Sequence, residues 1–249
     1  MKRVKLVVAY DGTNYCGWQV QKNGETIESV LNRAIGELTG EEIHVMGSSR
    51  TDAGVHACGN VAVFDTEARM AADKFSYALN QRLPEDIRIQ ESCEVPADFH
   101  PRFQKTVKTY EYRILNREFP LPAYRFNSHF TYRKLDVERM QKAAAYLVGE
   151  HDFQSFCTAG AQVKTTVRTI YELTVEKQGD LITIRITGNG FLYNMVRIIA
   201  GTLMKIGQGD WEPEQILQIL ESRDRQKAGP TAPARGLTLM EIHFKGEKE

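Results

Sequence analysis

Hydrophobic periodicity runs through this chain in the same order twice, and that repetition restricts the available folds more than any single motif. Residues 3–10 alternate as a half-buried strand does, with Val4, Leu6, Val8 and Tyr10 on one face. A polar loop, Asp11-Gly12-Thr13-Asn14, leads to Thr26–Leu38. There Ile27, Val30, Leu31, Ala34, Ile35 and Leu38 fall on one helical stripe, with Gly40 just beyond as a stop. Strands are expected at about 43–47, 58–65 and 87–94, and a helix at about 71–82 ended by Pro84. The second round opens at Lys108, where KTYEYRIL alternates cleanly. Asp136 caps a helix running to Val148, with Gly149 after it, and Val167–Val175 and Leu181–Thr187 form a hairpin around Gln178-Gly179-Asp180. A long apolar helix at about Phe191–Ile206, a short one at about 213–221 and a strand at Gly236–Phe244 complete the chain. Strand, helix, hairpin, helix, strand, twice over, predicts two related α+β halves with helices packed on one face of a sheet, joined near 100–107.

The 249 residues suffice for one large domain or two of ordinary size, and 42% hydrophobic with 26% charged residues gives a soluble, well-cored chain. The N-terminal apolar run, Leu6–Tyr10, is too short for a signal-peptide core, and no apolar run approaches the roughly 18 residues of a membrane span. A cytoplasmic protein with no membrane partner is expected. Cys16, Cys58, Cys93 and Cys157 lie far apart and the histidines show no H-x₃-H spacing, so reduced thiols and no metal site are expected. Phosphate-loop, dinucleotide, G-x-S-x-G and H-E-x-x-H patterns are absent. No cofactor is therefore expected, and catalysis would rest on ordinary side chains. Formal net charge is zero, yet Phe99–Lys134 carries eight Lys/Arg against Glu111 and Glu118, interleaved with nine aromatics. That mixture suits a ligand of phosphates and bases, and equally a solvated face over an aromatic core.

The stretch SSRTDAGVHACGNVAVF, Ser48–Phe64, reads as strand, tight turn, strand. An Asp-x-Gly turn is ordinary; Arg50 two residues before that Asp52, and His56 four after it, are less so. A carboxylate serves as nucleophile or general base without any cofactor. Local sequence alone favours a turn-forming Asp52 with Arg50 as its surface partner.

Six motifs in order shift that balance. YDGTNYCGWQVQ (Tyr10–Gln21), RTDAGVHA (Arg50–Ala57), FHPRF (Phe99–Phe103), KTYEYRI (Lys108–Ile114), NGFLYNMVR (Asn189–Arg197) and GPTAPARGLTL (Gly229–Leu239) make the chain resemble the TruA-type tRNA pseudouridine synthases along essentially its whole length. Ser49 departs from that pattern, which usually has Gly before the Arg. The resemblance implies that Asp52 is the catalytic aspartate, that Arg50 helps expel the target base, that Tyr110 lies against that base, and that Arg197 pairs with the aspartate. His56 and Asn194 match the motifs without an assigned role. It implies two RRM-like (ferredoxin-like) halves forming a central antiparallel sheet, with helices on one face and an active-site cleft between the halves. Residues 1–104 would carry the Asp and 105–249 would complete the cleft. It also implies a cofactor-free homodimer acting on the anticodon stem-loop of tRNA, at uridines 38, 39 and 40. A non-catalytic RNA-binding module would explain the basic aromatic segment but not the Arg50/Asp52/Arg197 set. A synthase of this fold acting at other RNA positions is the second alternative.

Overall fold

In the computed structural model, which describes residues 1–158 and 164–244, the chain divides into two units. The first is Met1–Lys105 with the chain from Thr238 on; the second is Thr106–Leu237. In chain order the elements of the first stretch are β1 (Lys2–Tyr10), α1 (Ile27–Thr39), β2 (Met46–Gly47), β3 (His56–Thr66), α2 (Phe75–Asn80) and β4 (Ile87–Val95). Those that follow are β5 (Thr106–Asn116), β6 (His129–Thr131), α3 (Val137–Ala145), β7 (Gly149–Asp152), β8 (Val167–Gln178), β9 (Leu181–Gly188), α4 (Met195–Gly207), α5 (Gln215–Ser222) and β10 (Leu237–Phe244). No helix among the described residues is long and apolar enough to cross a membrane.

In the first unit, β1 lies between β4 and β3, antiparallel to both. Its alternation is real: Val4, Leu6, Val8 and Tyr10 are buried and the residues between them half-buried. α1 begins at a Thr26–Ser29 capping box and stops at Gly40 in the left-handed region, φ 75°. Its buried Ile27, Val30, Leu31 and Ile35 each contribute roughly 1.5–3 kcal/mol by leaving water, and Ala34 is buried with them. The strand expected at 43–47 shrinks to Met46–Gly47, because the Val45 amide donates to the Asn32 side chain of α1 (2.8 Å) instead of entering a ladder. The helix expected at 71–82 is a single 3₁₀ turn, Ala72–Lys74, followed by α2. It ends early because Asn80 turns its side chain to both backbone groups of Ile89. From Thr238 the closing strand belongs to this unit, with Thr238 and Leu239 running parallel to His56 and Ala57 of β3. Gly59 makes room for it, since a Cβ there would meet the Met240 carbonyl at 2.8 Å.

The second unit orders its strands β5-β9-β8-β7, all neighbours antiparallel, with β6 parallel to β5. The β8–β9 hairpin turns at Gly179 (φ 59°), where the sequence places it. β6 and β7 were not legible as strands: both are short and lack alternation, and Gly149 opens β7 as well as following the helix. The long helix begins four residues later than expected, at Met195. Asn194 sits in the left-handed region (φ 62°), which no interior helical residue adopts. α4 is buried on nearly every face, and the Gly229–Ala232 segment lies directly against it. The Gly229 amide donates to Thr202 Oγ1 (2.9 Å), and the Ala232 amide to the Arg197 carbonyl (3.1 Å).

A methyl group on Gly201 would overlap the Pro230 carbonyl oxygen, so the close approach requires a residue without a side chain. In an ordinary helix Gly→Ala stabilises by about 1 kcal/mol. Here overpacking against backbone costs about 1–3 kcal/mol or more. Gly201→Ala is therefore expected to lower the urea unfolding midpoint; an unchanged or raised midpoint would show that the 229–232 segment yields easily.

Candidate active site

The loop from Ser48 to Val55 is held from three sides within the first unit. Asn60 of β3, fully buried, donates from Nδ2 to the Ser49 carbonyl (3.0 Å) and accepts at Oδ1 from the Ser49 amide (3.3 Å). The same Nδ2 donates to the Tyr10 hydroxyl (3.3 Å), which lies 2.7 Å from Thr51 Oγ1. The Trp18 amide donates to the Thr51 carbonyl (3.0 Å), and Gly17, at φ 89°, leaves room for that contact. Ser48 Oγ donates to the Pro101 carbonyl (2.9 Å), tying in the FHPRF segment. Two of the six motifs thus brace the loop that carries a third. Ser49 itself keeps an ordinary negative φ, so its replacement of the usual Gly costs no backbone strain.

Burial alternates along the loop: Ser49 and Thr51 are buried, Asp52 half-buried and Arg50 exposed. The turn closes through the Asp52 carbonyl, which accepts from the Val55 amide (3.1 Å), with Gly54 at φ 77°. Any residue supplies that carbonyl, so the turn does not account for a carboxylate at this position. His56 is buried, with its Nδ1 3.1 Å from the Gly12 amide nitrogen. Asp11 Oδ1 lies 3.1 Å from the same nitrogen. Burial pushes the Asp11 carboxyl up, but bonds from the Thr13 hydroxyl and amide, together with His56, outweigh it and hold it below the usual carboxylate range. His56 therefore ties the first loop to β3.

In the second unit Tyr110, Tyr112 and Ile114 share the buried face of β5, as period-two alternation requires. Tyr110 pairs with Ile186 of β9 and is met edge-on by Phe191, centroids 5.2 Å apart at 83°. Tyr112 donates its hydroxyl to the Pro233 carbonyl (2.9 Å), and burial pushes its phenol well above the ordinary value. Arg197 occupies the first turn of α4. Its Nη1 donates to Asn194 Oδ1 (2.8 Å) and its Nε to the Ala232 carbonyl (2.7 Å). Asn194 is itself held by a bond from Nδ2 to Thr158 Oγ1 (3.0 Å). The NGFLYNMVR and GPTAPARG motifs therefore meet at one guanidinium. Among the described residues no group of three His, Cys, Asp or Glu could hold a metal ion.

A family model described as tRNA pseudouridine synthase matches residues 6–104 and 143–245. The chain belongs to this family. The tRNA pseudouridine synthase A of Acetivibrio thermocellus is 50% identical over 244 residues, covering 98% of this chain and 100% of the relative. The tRNA pseudouridine synthase A of Brevibacillus brevis is 50% identical over 245 residues, with the same coverage of each. A chain from the crystal structure of an archaeal box H/ACA sRNP Nop10–Cbf5 complex covers 95% of this chain and 46% of its own length. Its identity is 10% and its TM-score 0.34, too distant to inform the fold or the site. Asn60, Asn194 and Phe191, which position the candidate residues of their own units, lie in or beside the motifs. Apart from Arg197, three residues after Asn194, their partners lie farther off in sequence and no local pattern marks them.

Lys108, two residues before Tyr110 on β5 and paired with Gly188, is the most displaced cation of this region. Burial pushes it down to about 8, from an ordinary value of 10.5. Below pH 8 folded and unfolded chains both hold its proton. Between about 8 and the unfolded value the unfolded chain holds it and the folded chain does not, so stability rises with pH across that window. Denaturant unfolding at pH 7.5 and 9.5 should show a gain for the wild type relative to Lys108→Met; equal pH dependence in the two would remove the burial argument.

Proposed function

We propose that this chain isomerises uridine to pseudouridine in the anticodon stem-loop of tRNA, at positions 38, 39 and 40, acting as a homodimer without a cofactor. The observation that carries the reading is the braced Asp52 loop, in a chain matched end to end at 50% identity by tRNA pseudouridine synthases. The reaction breaks N1–C1′, turns the uracil and forms C5–C1′. Neither electrons nor water enter the balance, so no redox group or hydrolytic metal is called for. The base first leaves the stack, at a cost of about a few kcal/mol. Arg50, exposed on a fixed backbone, fills the vacated space and meets phosphate. Asp52 acts ionised, whether it attacks C1′ or removes the 2′ proton, since both begin with the carboxylate. Proximity to an RNA polyanion raises its pKa, and Arg197 at contact opposes that by about 1–3 units. Tyr110, its ring held edge-on by Phe191, lies against the uracil and keeps the detached base in place.

Asp52→Asn is expected to abolish product while tRNA binding survives, because binding rests on phosphate contacts. Release of tritium from uridine-labelled tRNA, followed by mapping of the modified positions, checks both the chemistry and the site; near wild-type turnover by Asp52→Asn would refute the assignment. Activity should also persist in excess EDTA, and a strict metal requirement would reveal a missed site.

Tyr110→Leu removes a platform worth about 1–3 kcal/mol per stacked base and should nearly abolish turnover in a folded protein. Tyr110→Phe keeps the ring and should bind tRNA like the wild type. If stable Tyr110→Leu turns over normally, the ring is core packing alone.

A further inference from the structure

Away from these residues, the second unit holds a pocket of about 340 Å³ that the chemistry above does not use. Its walls include Leu115, Leu121, Tyr124 and Phe130, and it carries two cations, Arg125 and Arg235. By alternation Leu115 faces the opposite side of β5 from Tyr110, Tyr112 and Ile114. Five residues of strand separate it from Tyr110, roughly 17 Å. It is a separate site on the same scaffold.

The pocket is built rather than incidental. Leu115 and Phe130 are paired across β5 and β6. The 3₁₀ turn Pro122–Tyr124 is fixed by Ser128 Oγ donating to the Tyr124 carbonyl (2.8 Å) and Arg125 Nη1 donating to the Pro122 carbonyl (3.0 Å). The Arg125 guanidinium lies 4.1 Å from the Phe126 ring centroid, and both arginines are exposed. No carboxylate lines the pocket. Flat apolar walls with rings, plus two guanidiniums and no acid, match a ligand that joins a planar heterocycle to a phosphate. A second copy of this chain fits less well, because its own Phe99–Lys134 segment carries eight cations against two acids.

Resting on the reading of the chain as a tRNA-modifying enzyme, we propose that this pocket is a second nucleotide site. It takes one unpaired base of the bound tRNA, other than the reacting uridine, against Leu121, Tyr124 and Phe130, with the adjoining phosphate on Arg125 and Arg235.

Two variants and a crosslink test this with the full chain. Leu121→Trp fills the pocket and should raise the Kd for unmodified tRNA about tenfold, within the range one stacked base supplies. Arg125→Ala should weaken binding and reduce the slope of log Kd against log salt by about one, the mark of one lost phosphate contact. A misfolded variant would not give that altered slope, so Arg125→Ala stands if Leu121→Trp fails to fold. Photocrosslinking with tRNA carrying 4-thiouridine should label the peptide containing Leu121–Phe130. Wild-type Kd and salt slope in both variants would overturn the second site while leaving pseudouridine formation by the wild type, and hence the functional reading, intact. Absence of pseudouridine from wild-type reactions would overturn that reading instead, independently of the Kd comparison. A change in oligomeric state of RNA-free Leu121→Trp in sedimentation would identify the pocket as an interface between copies and also overturn the proposal.

Discussion

One buried side chain, Asn60, fixes the loop on which the proposed chemistry depends. Its amide takes both backbone groups of Ser49 and the Tyr10 hydroxyl, and Tyr10 in turn meets Thr51. Each of these groups is buried, so letting go of any one leaves an unsatisfied donor or acceptor costing about 1–3 kcal/mol. The loop is therefore anchored to β3 through Asn60 and to β1 through Tyr10. A site carried on strands in this way holds its geometry more closely than one left to a free loop. The packing of Gly17 and Trp18 against the Thr51 carbonyl adds a third wall, which explains why the first loop and the Asp52 turn belong together despite some thirty residues of separation.

The same alternation separates two jobs that conflict mechanically. A nucleophile or base must meet its target within a narrow range of positions, so its backbone has to be rigid. A side chain that follows a base out of a helix and contacts phosphate must be long and free to swing. Burying Ser49 and Thr51 while exposing Arg50 suits the roles proposed for Arg50 and Asp52, which stand two residues apart on a braced backbone. The neutral net charge fits the same division, since cations are concentrated in one segment and need not dominate the chain.

How much of this could be read from sequence depends on the range of the forces involved. Strand alternation in β1 and β5, the stripe of α1 and its caps, and the Gly179 turn are local effects, and they stood at or near the expected residues. The failures were places where a distant group overrode local preference. Asn32 took the amide that a longer β2 would have used, and Asn80 stopped α2 by bonding Ile89. Asn194 adopted a left-handed backbone where the apolar pattern read as helix, because its side chain serves Thr158 and Arg197. Element order alone did not mark the parallel pairing of β10 with β3. Asp52, Arg50, Tyr110 and Arg197 stood out through their motifs, whereas Asn60 and Ala232 act through contacts that no spacing rule encodes.

Arg197 carries the last step of the argument. A cation in the first turn of a helix stands at the positive end of the macrodipole, an unfavourable place by about 0.3–1 kcal/mol. Asn194 Oδ1 and the Ala232 carbonyl accept from its Nη1 and Nε and so orient the guanidinium. Residues of two motifs thus aim one guanidinium. In the proposed mechanism a carboxylate against Arg197 would offset the dipole penalty, and the guanidinium would keep Asp52 ionised when an RNA polyanion arrives to push its pKa upward. On this account the tail segment Gly229–Pro233 contributes to catalysis from a distance, by holding the carbonyl that aims Arg197.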